Sequence, residues 1–597
     1  MMIRGLDQAA KSLGITPEPK TMKDNTSVKH TTSPEEVPMM YRAQVDGRCS
    51  LMFAGNNKDL ERWKDEWVDL NQEQPRYQRK EPPLGLDGKI YRIKVKFPFR
   101  LLSNCGQDSI IRPIMGKDGI PYLSGSSVKG LFRRACNDAQ SKKYCGDDEN
   151  LAPSTLGFRF HGAYPIGDWS GMHKVKVREK GKEVTKVRYR MLDVVHPQQE
   201  RQVGSEKKQN ATALASVSLY KPTMIFEFSS ADPDTDWKEV EDIFWKAIAL
   251  GVGGKTSIGY GFGGHNDQRP AIIPQSKTNV MLVGQGVSPT LRSGEAEFRP
   301  NMFKASLRGH FQRLLAGVVD DRKELDKKVN RLFGSSSGPG TVQLFWEQKQ
   351  EVIYGQFGAT QTFQANGILH INALRDEDVQ LIEQVLKFAF VMGGFGKSWR
   401  RASHQKFYKT YKKFEIGCHW ELPSMDRSWM QNKSTADLKS FLDQIYRDYK
   451  ARFGRGQAVP LNWREAWHPE RLSVYAAVTQ ESKVVTLFHD DTFKKTPAIG
   501  GRVIEQKLDP KTKKMEDKEK LVVSHVWHRM LPIGEGEGFL EIVTVFHTER
   551  EKWKHQSEGD QLGKFIQSLK DEGLSLVWGR SSALPDVAKK SVPKPRR

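Results

Sequence analysis

The same local grammar occurs twice in this chain, and an internal repeat constrains a fold more tightly than any single motif. Ser126-Ser127-Val128-Lys129-Gly130-Leu131-Phe132-Arg133-Arg134 can be laid over Lys304-Ala305-Ser306-Leu307-Arg308-Gly309-His310-Phe311-Gln312-Arg313, with Gly130 on Gly309. Each copy is followed at long range by a glycine cluster, GVGGKTSIGYGFGG at 251–264 and MGGFGKSWRRASH at 392–404. An apolar helical run precedes each cluster, FWKAIAL in the first copy and LIEQVLKFAFV in the second. Strand-like runs lie ahead of each basic helix, YRIKVKFPF at 91–99 and the weaker NVMLVGQG at 279–286. Two related modules are implied. Strands alternating with helices and broken by long insertions fit an α+β sandwich of split β-α-β units better than a parallel doubly wound sheet.

At 597 residues the chain has room for more than two such units, since domains run about 100–200 residues. RLSVYAAVTQ at 471–480, LVVSHVWHRMLPI at 521–533, FLEIVTVFH at 539–547 and the helical GKFIQSLKDEG suggest a third, with a much weaker repeat signature. The organisation expected is a flexible segment at 1–37, a first module at 38–268 with a basic hairpin insertion at 169–190, and a second module at 277–415. A helical connector at 416–470, the third unit at 471–588 and a basic tail at 589–597 complete it. The first segment is polar and proline-bearing and the tail is too charged to bury itself, so both are expected to be mobile.

Charge narrows the partner class. The formal net charge is +22, and such an excess favours a polyanion, because neutralising phosphates releases condensed counterions. Only five cysteines occur (Cys49, Cys105, Cys136, Cys145, Cys418), with no pair at zinc-knuckle separation, so neither a disulfide scaffold nor a zinc finger is implied. The alternation in VVSHVWHRM sets His525 and His528 on opposite faces of a strand, against a metal site there. No stretch approaches the roughly 18–20 apolar residues of a membrane span. A soluble, cytoplasmic protein is expected.

The glycine cluster at 251–264 contains Gly254-Lys255-Thr256, which looks like the end of a phosphate loop. Ala249 stands where that loop needs its first glycine, and a helix precedes where a strand should. A nucleoside triphosphatase is disfavoured. Glycines still let backbone N–H groups approach a phosphate, and Lys255 and Tyr260 would add charge and stacking, so Gly253, Gly254, Lys255, Thr256 and Tyr260 are candidate RNA contacts. The alternative is a tight turn that packs a helix on a sheet. In GIPYLSGSSVKGLFRRA, Ser126 or Ser127 is expected to cap a helix whose first-turn amides, with Lys129, Arg133 and Arg134, make a phosphate site.

This combination resembles the RAMP superfamily, the RNA-binding backbone proteins of type III CRISPR effector complexes, whose hallmarks are a P-x-x-G-S-S-x-K-G helix start and a terminal glycine-rich loop. PYLSGSSVKGLFRRA, Leu192-Asp193-Val194-Val195-His196-Pro197 and the GVGGKTSIGYG loop look like the sixth RAMP subunit of the Cmr (type III-B) complex. FRPNMFKASLRGHFQRLLAG, Leu332-Phe333-Gly334-Ser335 and GGFGKSWRRAS are similar to that complex's first subunit, so the chain looks like a fusion of the two over roughly 90–410. The second copy departs from the pattern at Lys304-Ala305-Ser306 and by ending its loop in Arg400-Arg401.

The resemblance implies tandem ferredoxin-like, RRM-like domains that hold guide (crRNA) and target RNA beside other effector subunits, with no membrane role. In the second module the implied RNA contacts are Lys304, Ser306, Arg308, Arg313, Lys397, Arg400 and Arg401. The segment HKVKVREKGKEVTKVRYR at 173–190 suggests a basic hairpin, either a thumb wedged between guide and target or a solvated ribbon.

Cleaving subunits of this family carry an aspartate between the first strand and the helix start. Asp108 in SNCGQDSIIRP lies in the corresponding loop, and Asp118 sits too near the turn DGIPY; the second module's loop has none. The first reading is therefore a non-catalytic RNA-binding subunit with no tightly bound cofactor. Its alternative is an RNA-guided endoribonuclease that uses Asp108 with Mg or Mn, and Asp108→Ala separates the two. A third, distant reading is a general RNA-binding protein outside CRISPR.

Overall fold

The computed structural model describes residues 79–580 apart from internal segments 104–111, 117–119, 148, 180–181, 196–213, 266–275, 292, 336–337, 359, 397, 399, 409–416, 424–432, 455–459, 509–514, 535, 548–552 and 556–558. Asp108, Asp118, Lys397 and both expected mobile ends therefore lie outside the described residues.

Three four-strand paths, all antiparallel, organise the chain. In the first module the order is Gly85–Asp87, Ile90–Lys96, Thr223–Ser229, Arg159–Ile166. Helices Gly125–Arg133 and Trp237–Ala249 lie over it, and their Val128, Leu131, Phe132, Ile243 and Phe244 join Val95, Met224 and Phe226 in one core. Val128, Leu131 and Phe132 fall at i, i+3 and i+4, so the first helix buries one stripe and leaves its basic face in solvent.

The second module repeats three of these strands at greater length and takes the strand beside its first one from the end of the module instead of from before it. Its order is Val342–Gln348, Thr360–Ala373, Thr278–Val287, His419–Glu421, with Ile353–Phe357 paired to the outer end of Thr360–Ala373. Helices Asn301–Ala316, Arg322–Phe333 and Asp376–Phe388 cover it through Leu307, Phe311, Val329, Leu381 and Val385.

The third path is Val526–Gly534, Gly538–Phe546, Leu472–Thr479, Ser575–Gly579. Numbered by their order along the chain, its strands run second, third, first, fourth, as do those of the second module. Both faces of this sheet are buried. Val474, Trp527 and Ile542 join the core of the second module, whereas Tyr475, Val543 and Val545 pack with Phe565 and Leu569 of helix Gln561–Asp571. That split follows the period-2 alternation of a strand. Arg529 stitches the two bodies together, donating to the carbonyls of Phe390 (3.2 Å) and Trp420 (2.6 Å) and to His419 Nδ1 (3.2 Å).

The connector brings helix Thr435–Phe453 and then Trp467 against the same core. Its close approach depends on Gly317, which ends helix Asn301–Ala316: a Cβ there would sit 1.9 Å from the Trp467 carbonyl oxygen. Trp467 N–H also donates to the Arg313 carbonyl at 2.9 Å, so the segment cannot simply back away. Gly317→Ala is expected to cost about 1–3 kcal/mol by overpacking, read from chemical denaturation followed by tryptophan fluorescence.

Candidate nucleic-acid interface

In the first module, helix Gly125–Arg133 starts at Ser124, whose hydroxyl accepts the Ser127 N–H at 3.3 Å and lies 2.9 Å from the hydroxyls of both Ser126 and Ser127. The cap is thus Ser124 and not Ser126 or Ser127, because Gly125 already has helical geometry. A Cβ on Gly125 would stand 2.0 Å from the Phe160 carbonyl oxygen, so only glycine lets the helix start press onto strand Arg159–Ile166.

The glycine cluster meets this helix start. Ser124, Ser127, Arg134, Gly253 and Gly254 all line one cavity of about 260 Å³. Ser126, Ser127, Lys129, Arg134 and Lys255 are exposed. Lys255 adopts a left-handed conformation at φ 58°, and desolvation holds its pKa below the ordinary lysine value while Asp193 partly offsets the shift.

Three expectations for this module are corrected. Gly254 N–H is already spent on the Leu102 carbonyl at 2.6 Å, and a Cβ on Gly253 (φ 73°) would meet that same oxygen at 2.5 Å. These glycines serve a close packing contact with the Leu102 carbonyl. Tyr260 is 6% exposed, with burial pushing its phenol pKa upward, so it offers no face for base stacking. Arg133 points inward to the carbonyls of Cys145 (2.9 Å) and Gly146 (3.1 Å), which leaves Arg134 as the outward arginine. Thr256 is half-buried, and its methyl packs where a Cβ on Gly251 would fall.

The second module diverges further. Ser306 Oγ accepts the Gly396 N–H at 3.3 Å, and Arg308 reaches the Gly334 carbonyl and Asn330 Oδ1, both at 2.7 Å. Arg313 pairs with Glu465 (Nε–Oε2 2.7 Å) and lies 4.9 Å over the Trp527 ring. Arg401 is 7% exposed, donates to the Gly396 carbonyl at 2.9 Å and flanks that same ring at 5.1 Å. Arg313 and Arg401 are therefore internal and do not form an RNA-facing surface. The cause is the third sheet, whose Trp527 covers the face that Arg134 exposes in the first module. Arg400 is half-buried and pairs by its backbone with His528 and Cys418. Lys304 is 5% exposed and lines a second cavity at the seam between the modules.

Sequence reasoning missed the residues that join the modules. Arg100 Nε donates to both Glu297 carboxylate oxygens at 3.0 Å and its Nη2 to Oε1 at 2.7 Å, while Arg299 bonds Asp193 at 2.8 Å. Partners 197 positions apart leave no local signal. The hairpin His173–Glu179 with Lys182–Arg188 stands outside the main sheet. Its foot is fixed to the second module by His173–Glu295 (2.8 Å) and by Arg188 on the Ser293 carbonyl (2.9 Å). The bond to Glu295 holds the His173 pKa above its ordinary value.

Among the described residues no group of three or more His, Cys, Asp or Glu side chains is placed to hold a metal ion. His525 packs on Trp553 (5.9 Å) while His528 bonds Glu541 (2.9 Å). No helix among the described residues is long and apolar enough to cross a membrane.

Most of the residues that line the cavity between helix start and glycine cluster lie in the stretch 112–262, which matches the model of the RAMP superfamily. Residues 112–262 are similar to the RAMP superfamily. The RAMP match thus takes in the serine cap, Lys129, Arg134 and the glycine cluster up to Phe262. No curated protein matches the chain at a significant level. Among solved structures it is similar to Cmr1 from Pyrococcus furiosus in its apo form, at 11% identity and TM-score 0.33, over 50% of this chain and 98% of that one. It is also similar to a chain of the type III-B Cmr-beta complex bound to cognate target RNA, at 18% identity and TM-score 0.20, over 30% of this chain and 61% of the other. A third similarity, to a chain of Cmr-beta bound to cognate target RNA and AMPPnP in the presence of ssDNA, has 10% identity and TM-score 0.27 over 49% and 98%. All three fall below the level at which a shared overall arrangement is established.

Proposed function

We propose that the chain is an RNA-binding structural subunit of a type III CRISPR ribonucleoprotein effector, built from tandem ferredoxin-like units and holding guide RNA and the guide–target duplex. The observation that carries this reading is the cleft lined mostly by the RAMP-like stretch 112–262. A capped helix start and a glycine cluster share its walls, and Lys129, Arg134 and Lys255 stand exposed in those two elements. First-turn amides with neighbouring cations suit a phosphate backbone, which is read without regard to sequence. The guide then supplies specificity by base pairing.

The strand orders support the ferredoxin-like reading. In the second module, strand, helices, three strands, helix and edge strand produce one antiparallel sheet covered by helices. The formal charge of +22 supports a polyanionic partner for the assembled chain. Contacts from Ser126, Ser127, Lys129, Arg134 and Lys255 belong to this proposal, as does a wedging role for the hairpin at 173–188.

Purifying the chain from its native host and sequencing the bound RNA tests the reading. Short RNAs with a common repeat-derived segment, in a large multisubunit assembly, are the expected result. Unselected cellular RNA, or none, would overturn it.

A further inference from the structure

The cavity at the seam between the modules carries an unresolved charge. It measures about 630 Å³ and is lined by Ser257 from the first module's loop, by Asn301, Lys304 and Arg308 from the second module's helix, and by Ser335 beyond helix Arg322–Phe333. In the repeat, Lys304 occupies the position of Gly125, the residue that in the first module lets the helix press on a backbone carbonyl. The second helix starts three residues earlier in this alignment, at Asn301, so that Lys304 falls at the end of its first turn.

Lys304 is 5% exposed, and its ammonium donates to no group among the described residues. A buried ammonium without a partner is strongly unfavourable. Burial and the nearby Arg308 pull its pKa down to about 8. Arg308 adds charge of the same sign, and its own donors are already turned toward Gly334 and Asn330.

The helix end compounds the imbalance. Helix Asn301–Ala316 has Pro300 at its cap position, no side-chain cap and no acidic residue in its first turn. Its positive end therefore faces the same region as Lys304, where an anion is stabilised and a cation is not. No carboxylate lines the cavity among the described residues. The helix of the first module solves the same problem with Ser124.

We propose that this seam cavity is a phosphate-binding subsite in which Lys304 is the paired cation. The phosphate can come from an RNA phosphodiester, in which case the inference rests on the RNA-binding reading above and deepens it, or from free phosphate. Because both modules wall the cavity, an occupant there also ties them together.

The test compares the full chain with Lys304→Met, which keeps the length and removes the charge. Without added anion the variant is expected to melt at a higher temperature, which also establishes that it folds. Two probes follow: inorganic phosphate, read as the rise in melting temperature it causes, and a single-stranded RNA of about 30 nucleotides, read as affinity against salt. A phosphate-induced rise lost in Lys304→Met supports the subsite. If RNA supplies the phosphate, the variant binds RNA about tenfold more weakly, as for a lost charged hydrogen bond. Its salt slope then becomes shallower by about 0.7, the value for one single-strand phosphate. A lost phosphate response with an unchanged RNA slope assigns the subsite to free phosphate. Wild type and variant responding alike to both probes overturns it. A wild type that binds no RNA at all refutes the proposed function separately, and the phosphate arm still judges the cavity.

Discussion

Replacing Glu297 with alanine is expected to destabilise the chain by about 3–5 kcal/mol, the scale for breaking a buried ion pair from one side. Arg100 and Glu297 are 4% and 5% exposed, and the guanidinium grips the carboxylate through Nε and Nη2 while Nη1 donates to Ser218 Oγ at 2.9 Å. Arg299 adds a second contact to the same carboxylate at 3.2 Å and holds Asp193 on its other side. Arginine does not lose its proton in a protein. Without Glu297 the Arg100 guanidinium keeps Ser218 Oγ as its side-chain partner, while Arg299 keeps Asp193. Denaturation of Glu297→Ala followed by tryptophan fluorescence measures the loss, and limited proteolysis between the modules reports where it falls. The double variant Arg100→Met with Glu297→Met should recover most of the stability, because an apolar pair of similar volume avoids the desolvation of both charges. A loss under about 1 kcal/mol in the single variant would mean that the pair is solvated and that the modules are held elsewhere.

That pair also marks where the sequence stops being informative. Local periodicity placed strands near 91–99, 279–286, 471–480 and 539–547, and strands stand at Ile90–Lys96, Thr278–Val287, Leu472–Thr479 and Gly538–Phe546. The basic segment after residue 172 reads as a hairpin because charged and apolar residues alternate about a glycine, and it forms one. The run 521–533 was legible only in part. Val522 ends one hairpin, Met515–Val522 with Gly501–Leu508, and Val526 begins a strand of a different sheet. Alternation carries no mark of that change of partner.

The candidate site divides along the same line. Short-range chemistry, a serine cap followed by basic residues, located the helix start to within two or three residues. Equivalence between the copies did not extend to exposure. Arg134 and Arg313 occupy matching positions, yet Arg134 is in solvent and Arg313 lies under Trp527, supplied from more than 200 residues downstream. Tyr260 fails as a stacking residue for a related reason, since the second module closes over the end of the glycine cluster: Gly259 approaches the Leu344 carbonyl and Pro300. A repeat predicts the backbone of its copies, and what packs on each copy decides which of its side chains remain available to a ligand.

The surface that does remain available makes the second large effect. Reversing both exposed cations of the first helix, Lys129→Glu with Arg134→Glu, is expected to weaken binding of single-stranded RNA by about 100-fold at moderate salt. The estimate follows from two lost phosphate contacts and new like-charge repulsion at the same points. The accompanying salt slope should flatten by about 1.4, from about 0.7 per phosphate on a single strand. Both side chains are exposed and belong to a helix whose buried stripe is Val128, Leu131 and Phe132, so stability should change by no more than about 0.5 kcal/mol. A charge-conserving exchange, Lys129→Arg with Arg134→Lys, should retain most of the affinity, because backbone phosphates require charge at those positions more than a particular donor geometry. Filter binding or fluorescence anisotropy across a salt series measures all three chains. If the reversed variant binds as tightly as wild type while still folded, the cleft between helix start and glycine cluster is not the RNA contact surface. The cations responsible would then have to be sought on the hairpin at 173–188, where Lys174, Lys176 and Lys186 are exposed.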